Sequence, residues 1–267
     1  MERRKKITPT QRKRVYLDQI EVLRRGAVFA PKLERERTKA LQTALKQHIG
    51  QPITADFAIK IDEPYLVDWF RSLYLTIGQP VAEKQYERFM HAQQKSFLTD
   101  LFEAAIRQYI DEWVATKIKI ISASFSRYVS KYVKEAVRDS VNEGDSISEL
   151  TTRVYNEVVG KWDEVKRWQA MRIVNTETMG AKSVAQHTSI ASLGIAYEKQ
   201  WITAFHHSRL WHQDMDGIIV GAGEFFYPDG EKMEYPHDVR FGASAGNLVN
   251  CMCDCDYIQK EFTDLKP

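Results

Sequence analysis

The sequence predicts an α+β protein, with a long, mainly α-helical N-terminal region followed by a small C-terminal domain of short strands and turns. Three observations carry this. After the opening Pro80, no Gly or Pro occurs before Val141, while apolar residues recur at helical spacing: Leu101, Ala104, Ala105, then Ile118, Ile121, Phe125 and Val129. Seven of the 13 glycines lie at Gly194 or beyond. In that last part, apolar residues alternate with polar ones at Ile195–Ile202 and Cys251–Ile258, the period of a strand.

The elements follow in order. Thr8-Pro9 reads as an N-cap with Pro at the first helical position, opening a basic helix through Val15, Leu17, Ile20 and Leu23 that Gly26 and Pro31 break. A second helix spans Leu33 to Ile49 and closes at Gly50. Residues 50–61 read as a linker carrying Phe57, Ile59 and Ile61. Asp62 then caps a helix that has Pro64 in its first turn and runs to Gly78. A single helix from Pro80 to Val141 would far exceed the usual three or four turns, so a break is expected near Ala115–Ile121.

Asn142-Glu-Gly-Asp is a turn, and Ser146 with Glu149 forms a capping box for a helix from Ile147 to Val159. Another helix is expected from Trp162 to about Leu193, ending at Gly194. Beyond it lie short apolar runs at Ile218–Val220 and Phe225–Tyr227, separated by Asp216-Gly217, Asp229-Gly230 and Tyr235-Pro236. These signals divide the chain into a basic N-terminal arm and helix (1–31), a helical region (32–160) and a C-terminal domain (161–267).

A chain of 267 residues, 43% hydrophobic and 28% charged, supports a packed core and excludes a disordered or collagen-like polymer. No apolar run approaches the roughly 20 residues that span a bilayer, and Met1-Glu-Arg-Arg-Lys-Lys lacks the apolar stretch of a secretory signal. The expectation is a soluble intracellular protein without a membrane partner. Net charge is 38 − 36 = +2, unevenly spread. Arg3, Arg4, Lys5, Lys6, Arg12, Lys13 and Arg14 face one acid, Glu2, in the first 14 residues. Such an arm is either a solvated terminus or a contact for double-stranded DNA or an acidic protein surface.

Six soft-metal ligands crowd into the C-terminal domain: His206, His207, His212, Cys251, Cys253 and Cys255. Imidazole and thiolate together suit a structural zinc ion, which takes about four ligands in a tetrahedron. On a strand the three cysteines would share one face. The candidate ligand set is His206, His212, Cys251 and Cys253, and the competing reading is small buried side chains beside polar loop histidines. Asp214, Asp216, Glu224 and Asp238 add carboxylates, so an enzyme acting through this His/Asp/Cys cluster is a further reading. The sequence contains no G-x-S-x-G elbow, P-loop or H-E-x-x-H, and nothing in the spacing pairs a nucleophile with a base. Catalysis is therefore not expected.

An ordered set of residues points to a family. Thr176-Glu177 lie on a helix, Trp201 ends a strand, and Arg209, His212 and Asp216-Gly217 follow. Pro236 and Asp238 come next, then Asn250-Cys-Met-Cys253. Over roughly residues 165–258 this pattern resembles the phage Mu protein F-like domain of minor head, or head morphogenesis, proteins of tailed bacteriophages. Four positions depart from the family: Asn175 for Arg, Phe205 or His206 for Asp, His237 for the Gly of Pro-Gly-Asp, and Met252 for Arg. The resemblance implies a non-catalytic virion component at the capsid interior or portal vertex, present in host cytoplasm during assembly. Its partners would be portal protein, major capsid protein and packaged DNA, the last touched by the basic arm. The other readings are a toxin-like or nucleotide-acting enzyme and a metal-stabilised DNA-binding protein.

Overall fold

The computed structural model describes residues 3–47, 57–89, 95–204 and 208–260. Its first strand is short: β1, Arg3–Arg4, lies within the segment that charge alone marked as an arm. Helix α1 (Pro9–Gly26) starts where expected, because the Thr8 side chain accepts from the Gln11 backbone N–H while the Gln11 amide oxygen accepts from the Thr8 N–H. A 3-10 turn, Ala27–Phe29, connects it to α2, Ala30–Gln47. Then come three long helices, α3 (Phe57–Phe89), α4 (Lys95–Glu143) and α5 (Ile147–Ser192).

Local signals misplace several of these boundaries. Residues 57–61 belong to α3 and not to a linker, and α3 continues past Gly78 and Pro80. Gly78 serves close packing: a Cβ there would lie 2.9 Å from the Phe102 ring, so the position admits a neighbour instead of ending the helix. No break occurs at 115–121, where Ile118 and Ile121 are buried and hold α4 in register. Helix α5 likewise runs through Gly160, flanked by buried Val158 and Trp162. Packing of an apolar face outweighs the propensity cost of about 1 kcal/mol for one glycine. The turn between α4 and α5 is as expected: Gly144 has φ +74, and Ser146 with Glu149 closes a capping box.

The remainder forms one antiparallel sheet with small helices. Strands β2 (Tyr197–Ile202), β3 (Ile218–Gly221) and β4 (Asp254–Gln259) join β1 in the order β1-β3-β2-β4. Helices α6 (Leu210–Asp214) and α7 (Ala245–Leu248) occupy the connections. Trp201 lies opposite Cys255 and Lys199 opposite Tyr257 on one face, Gln200 opposite Asp256 and Ile202 opposite Asp254 on the other, and all of these are buried. The architecture is thus α+β, mostly helical with a small four-stranded sheet toward the C-terminus.

The chain groups into two compact units, both discontinuous in sequence, where the sequence suggested three consecutive regions. One comprises Met1–Ala27, Arg71–Trp113 and Val174–Pro267; the other comprises Val28–Phe70 and Val114–Ile173. The second unit is cored by Leu41, Leu45, Phe125, Val129, Val158 and Trp162. The Trp162 indole N–H donates to Thr38 Oγ1 at 2.8 Å, and the Arg37 guanidinium lies 4.3 Å from the centre of the Phe125 ring. The first unit contains the sheet and every described member of the predicted metal set.

Candidate metal centre

The loop after α7 brings the ligands together. Asn250 adopts φ +55, a left-handed conformation that Asn tolerates, and its N–H donates to Thr176 Oγ1 on α5 at 3.0 Å. Arg209 donates to the Val249 carbonyl at 2.7 Å, and the His237 ring donates through Nε2 to the Cys251 carbonyl at 2.9 Å. The chain therefore reaches Cys251 and Cys253 already fixed on both sides. His212 comes from α6, whose carbonyl at His212 accepts from the Thr203 hydroxyl at 2.7 Å.

His212 Nδ1 lies 3.5 Å from Cys251 Sγ and 3.5 Å from Cys253 Sγ, and the three donor atoms fall within 4.8 Å of one another. Their residues are 1%, 2% and 0% exposed. The Cys253 N–H points at Cys251 Sγ from 3.4 Å, an orientation that favours negative charge on that sulfur. A hydrogen bond from the Cys253 side chain, helped by His237 and His212 against the effect of burial, holds the Cys251 thiol well below its ordinary value. Burial pushes Cys253 well above its own. Burial also works against charge on His212, but contact with Cys251 outweighs it and raises that imidazole. One nitrogen and two sulfurs at this spacing form a donor set able to hold a metal ion, since each sits about one metal–ligand triangle edge from the next.

The structure brings part of the candidate set together. His212, Cys251 and Cys253 converge as expected, whereas His206 and His207 lie outside the described residues. Cys255 does not join them. The strand begins only at Asp254, so Cys251 and Cys253 approach from the preceding loop while Cys255 on β4 lies opposite Trp201 of β2. The carboxylates are also occupied elsewhere. Asp216 accepts the Thr203 N–H at 2.9 Å and pairs with Arg12 at 2.6 Å, and Glu224 accepts the Gly221 N–H at 2.7 Å. Fully buried Asp238 accepts from the backbone of Glu234 and Arg240, each at 3.0 Å. Asp214 is exposed.

The basic arm is largely built into the fold. Arg3 pairs with Glu198 at 3.0 Å, Arg4 donates to the Asp214 carbonyl, and Arg14 pairs with Asp256 at 2.6 Å. The Lys5 N–H donates to the Gly217 carbonyl at 2.9 Å. The Lys5, Lys6 and Lys13 residues are exposed. Sequence reasoning missed Trp211, Glu231 and Asn247, which are linked by hydrogen bonds to one another and to His212. No protein family, curated protein or solved structure matches the chain.

Proposed function

We propose that the protein is a non-catalytic minor head protein of a tailed bacteriophage or prophage, whose C-terminal module is held together by a structural zinc ion. It assembles with portal or major capsid protein during head morphogenesis. The supporting observation is the use to which the family-patterned residues are put. Thr176, Arg209, His212, Asp216, Asp238, Asn250, Cys251 and Cys253 each bind backbone or one another inside a single module. His237 stands at the glycine of the family motif and has φ +70, the conformation glycine adopts most readily.

His212, Cys251 and Cys253 would hold the zinc. The ion supplies cross-linking of α6 to the loop before β4, and its binding would displace the protons shared among the three side chains. Three donors leave one corner of a tetrahedron for a further ligand. In this reading the arginines of the N-terminal segment stabilise the module, and contact with packaged DNA falls to exposed Lys5, Lys6 and Lys13.

Mass spectrometry of purified particles from the source, scaled to portal and major capsid proteins, tests the assignment. A few to a few tens of copies per particle are expected. Absence from both mature particles and empty procapsids would overturn it. Replacing Lys5, Lys6 and Lys13 by Gln tests the DNA contact without removing β1 or the Thr8 cap: loss of salt-sensitive DNA retention is expected, and unchanged retention rules the arm out.

A further inference from the structure

The structure assigns Asn247 as the residue that aims the His212 ring at the metal, with Glu231 holding Asn247 in place. The inference rests on the zinc reading above and names the residues that prepare that site.

The two ends of the Asn247 amide face different neighbours. The Trp211 indole nitrogen lies 2.7 Å from Asn247 Oδ1, and an indole N–H can only donate. On the other side, Asn247 Nδ2 lies 2.7 Å from Glu231 Oε2 and 3.2 Å from the Pro228 carbonyl, both acceptors. Each side independently demands the same orientation, so Oδ1 is an acceptor toward its remaining neighbour. That neighbour is His212 Nε2, at 2.8 Å. His212 must therefore carry a hydrogen on Nε2. Its Nδ1, 3.5 Å from both cysteine sulfurs, is then the nitrogen whose lone pair is available to a cation.

Glu231 extends the chain of constraints. The same Oε2 that accepts from Asn247 also accepts the Ser244 N–H at 2.8 Å, which fixes the start of α7 and hence the position of Asn247 on it. Asn247 is itself 2% exposed, so water does not compete for its hydrogen bonds. A ring whose far nitrogen donates to a fixed acceptor is restrained in tautomer and in rotation before any metal arrives, and partners of this kind are worth about 10–100-fold in metal affinity.

The test uses the full chain and zinc alone, with affinity measured by competition against a chromophoric chelator. Ring-nitrogen NMR of the zinc-loaded protein reports the tautomer. Wild type is expected to show a protected Nε2–H on His212 and a metal-shifted Nδ1. Asn247→Leu should lower zinc affinity about 10–100-fold and lose that protected proton, with circular dichroism unchanged. Glu231→Ala, which leaves the amide in contact with His212, should lose less affinity and broaden the same proton signal. That variant keeps the test decisive should Asn247→Leu fail to fold. Zinc bound through Nε2, or variants indistinguishable from wild type in both affinity and ring signal, would overturn the inference while leaving the metal site standing. A wild-type protein that binds no zinc would overturn the metal site and the inference together.

Discussion

The helical unit and the sheet-bearing unit are stabilised in different ways. Around Trp162 most contacts are apolar and aromatic, with Phe125 at 5.1 Å and Tyr128 at 5.9 Å between ring centres, beside the directed hydrogen bond to Thr38 and the Arg37 guanidinium on the Phe125 ring. The apolar contacts are non-directional, and hydrophobic residues of suitable volume can exchange at modest cost. Around β2 and β4, buried polar groups occur alongside Trp201 and Tyr257. Lys199, Gln200, Asp238, Asn247, Asp254 and Asp256 are all buried, and each requires a partner in a particular direction. Arg14 and Arg88, for example, both reach Asp256. The first kind of core tolerates approximate solutions; the second does not.

Two substitutions should separate these regimes at comparable cost. Trp162→Ala removes a fully buried ring and should lower stability by about 3–5 kcal/mol in urea unfolding, with zinc stoichiometry unchanged in the folded protein. Lys182→Ala strands Asp254 without its buried partner and should cost a similar 3–5 kcal/mol. Here the repair distinguishes the mechanisms. Lys182→Met with Asp254→Leu should recover much of the loss, because an apolar pair needs no directed contact. If the double variant is no more stable than Lys182→Ala, the sheet unit does not follow the rule for buried ion pairs.

A smaller effect comes from the metal ligands. Cys253→Ala should abolish zinc binding, and with it the upward shift in melting temperature that zinc confers, worth about 2.7 kcal/mol at a hundredfold excess over Kd. Chelator should then have no effect on the variant, whereas it should lower the melting temperature of wild type. Equal chelator sensitivity in both proteins would remove the metal from the account of this unit.

The acid limb of the stability profile provides a finer probe. Burial alone would raise the Glu234 carboxyl, but His187 at 3.4 Å and Arg240 hold it down at about 2, against an ordinary 4.5. A carboxyl held low in the fold contributes stability above its unfolded value, and that contribution fades as pH falls from 4.5 toward 2. The difference between wild type and Glu234→Gln should therefore shrink across this window, by on the order of 1–2 kcal/mol after solvent screening. A difference that stays constant from pH 5 to pH 2 would show that Glu234 titrates as an ordinary carboxyl. Arg3→Ala should have the smallest effect, within about 0.5 kcal/mol, since its pair with Glu198 is exposed and Lys260 also reaches that carboxylate.

What could be read from the sequence followed locality. Thr8 with Gln11 and Ser146 with Glu149 are capping signals whose partners lie three residues apart, and both appear as read. The glycines at 144 and 194 mark helix ends because both take positive φ. Gly78 and Gly160 carry the same letter and mark nothing of the kind, since tertiary packing carries the helix through them. The basic arm misleads for a related reason: charge composition says nothing about Glu198, Asp216 and Asp256, which are distant in sequence and wait on the sheet.

The sequence by itself determined the fold class, the change from helix to strand near Gly194, and a candidate set of soft-metal donors that includes His212, Cys251 and Cys253. Periodicity, turn chemistry and donor type are properties of short segments, so each is readable without coordinates. Only the tertiary structure decided that Cys255 stands apart and that Arg3 and Arg4 form an edge strand. It alone showed that Asn247 turns the His212 Nδ1 toward the sulfurs. These are directional contacts between residues far apart in the chain, and direction is fixed only when the whole sheet-bearing unit has closed around them.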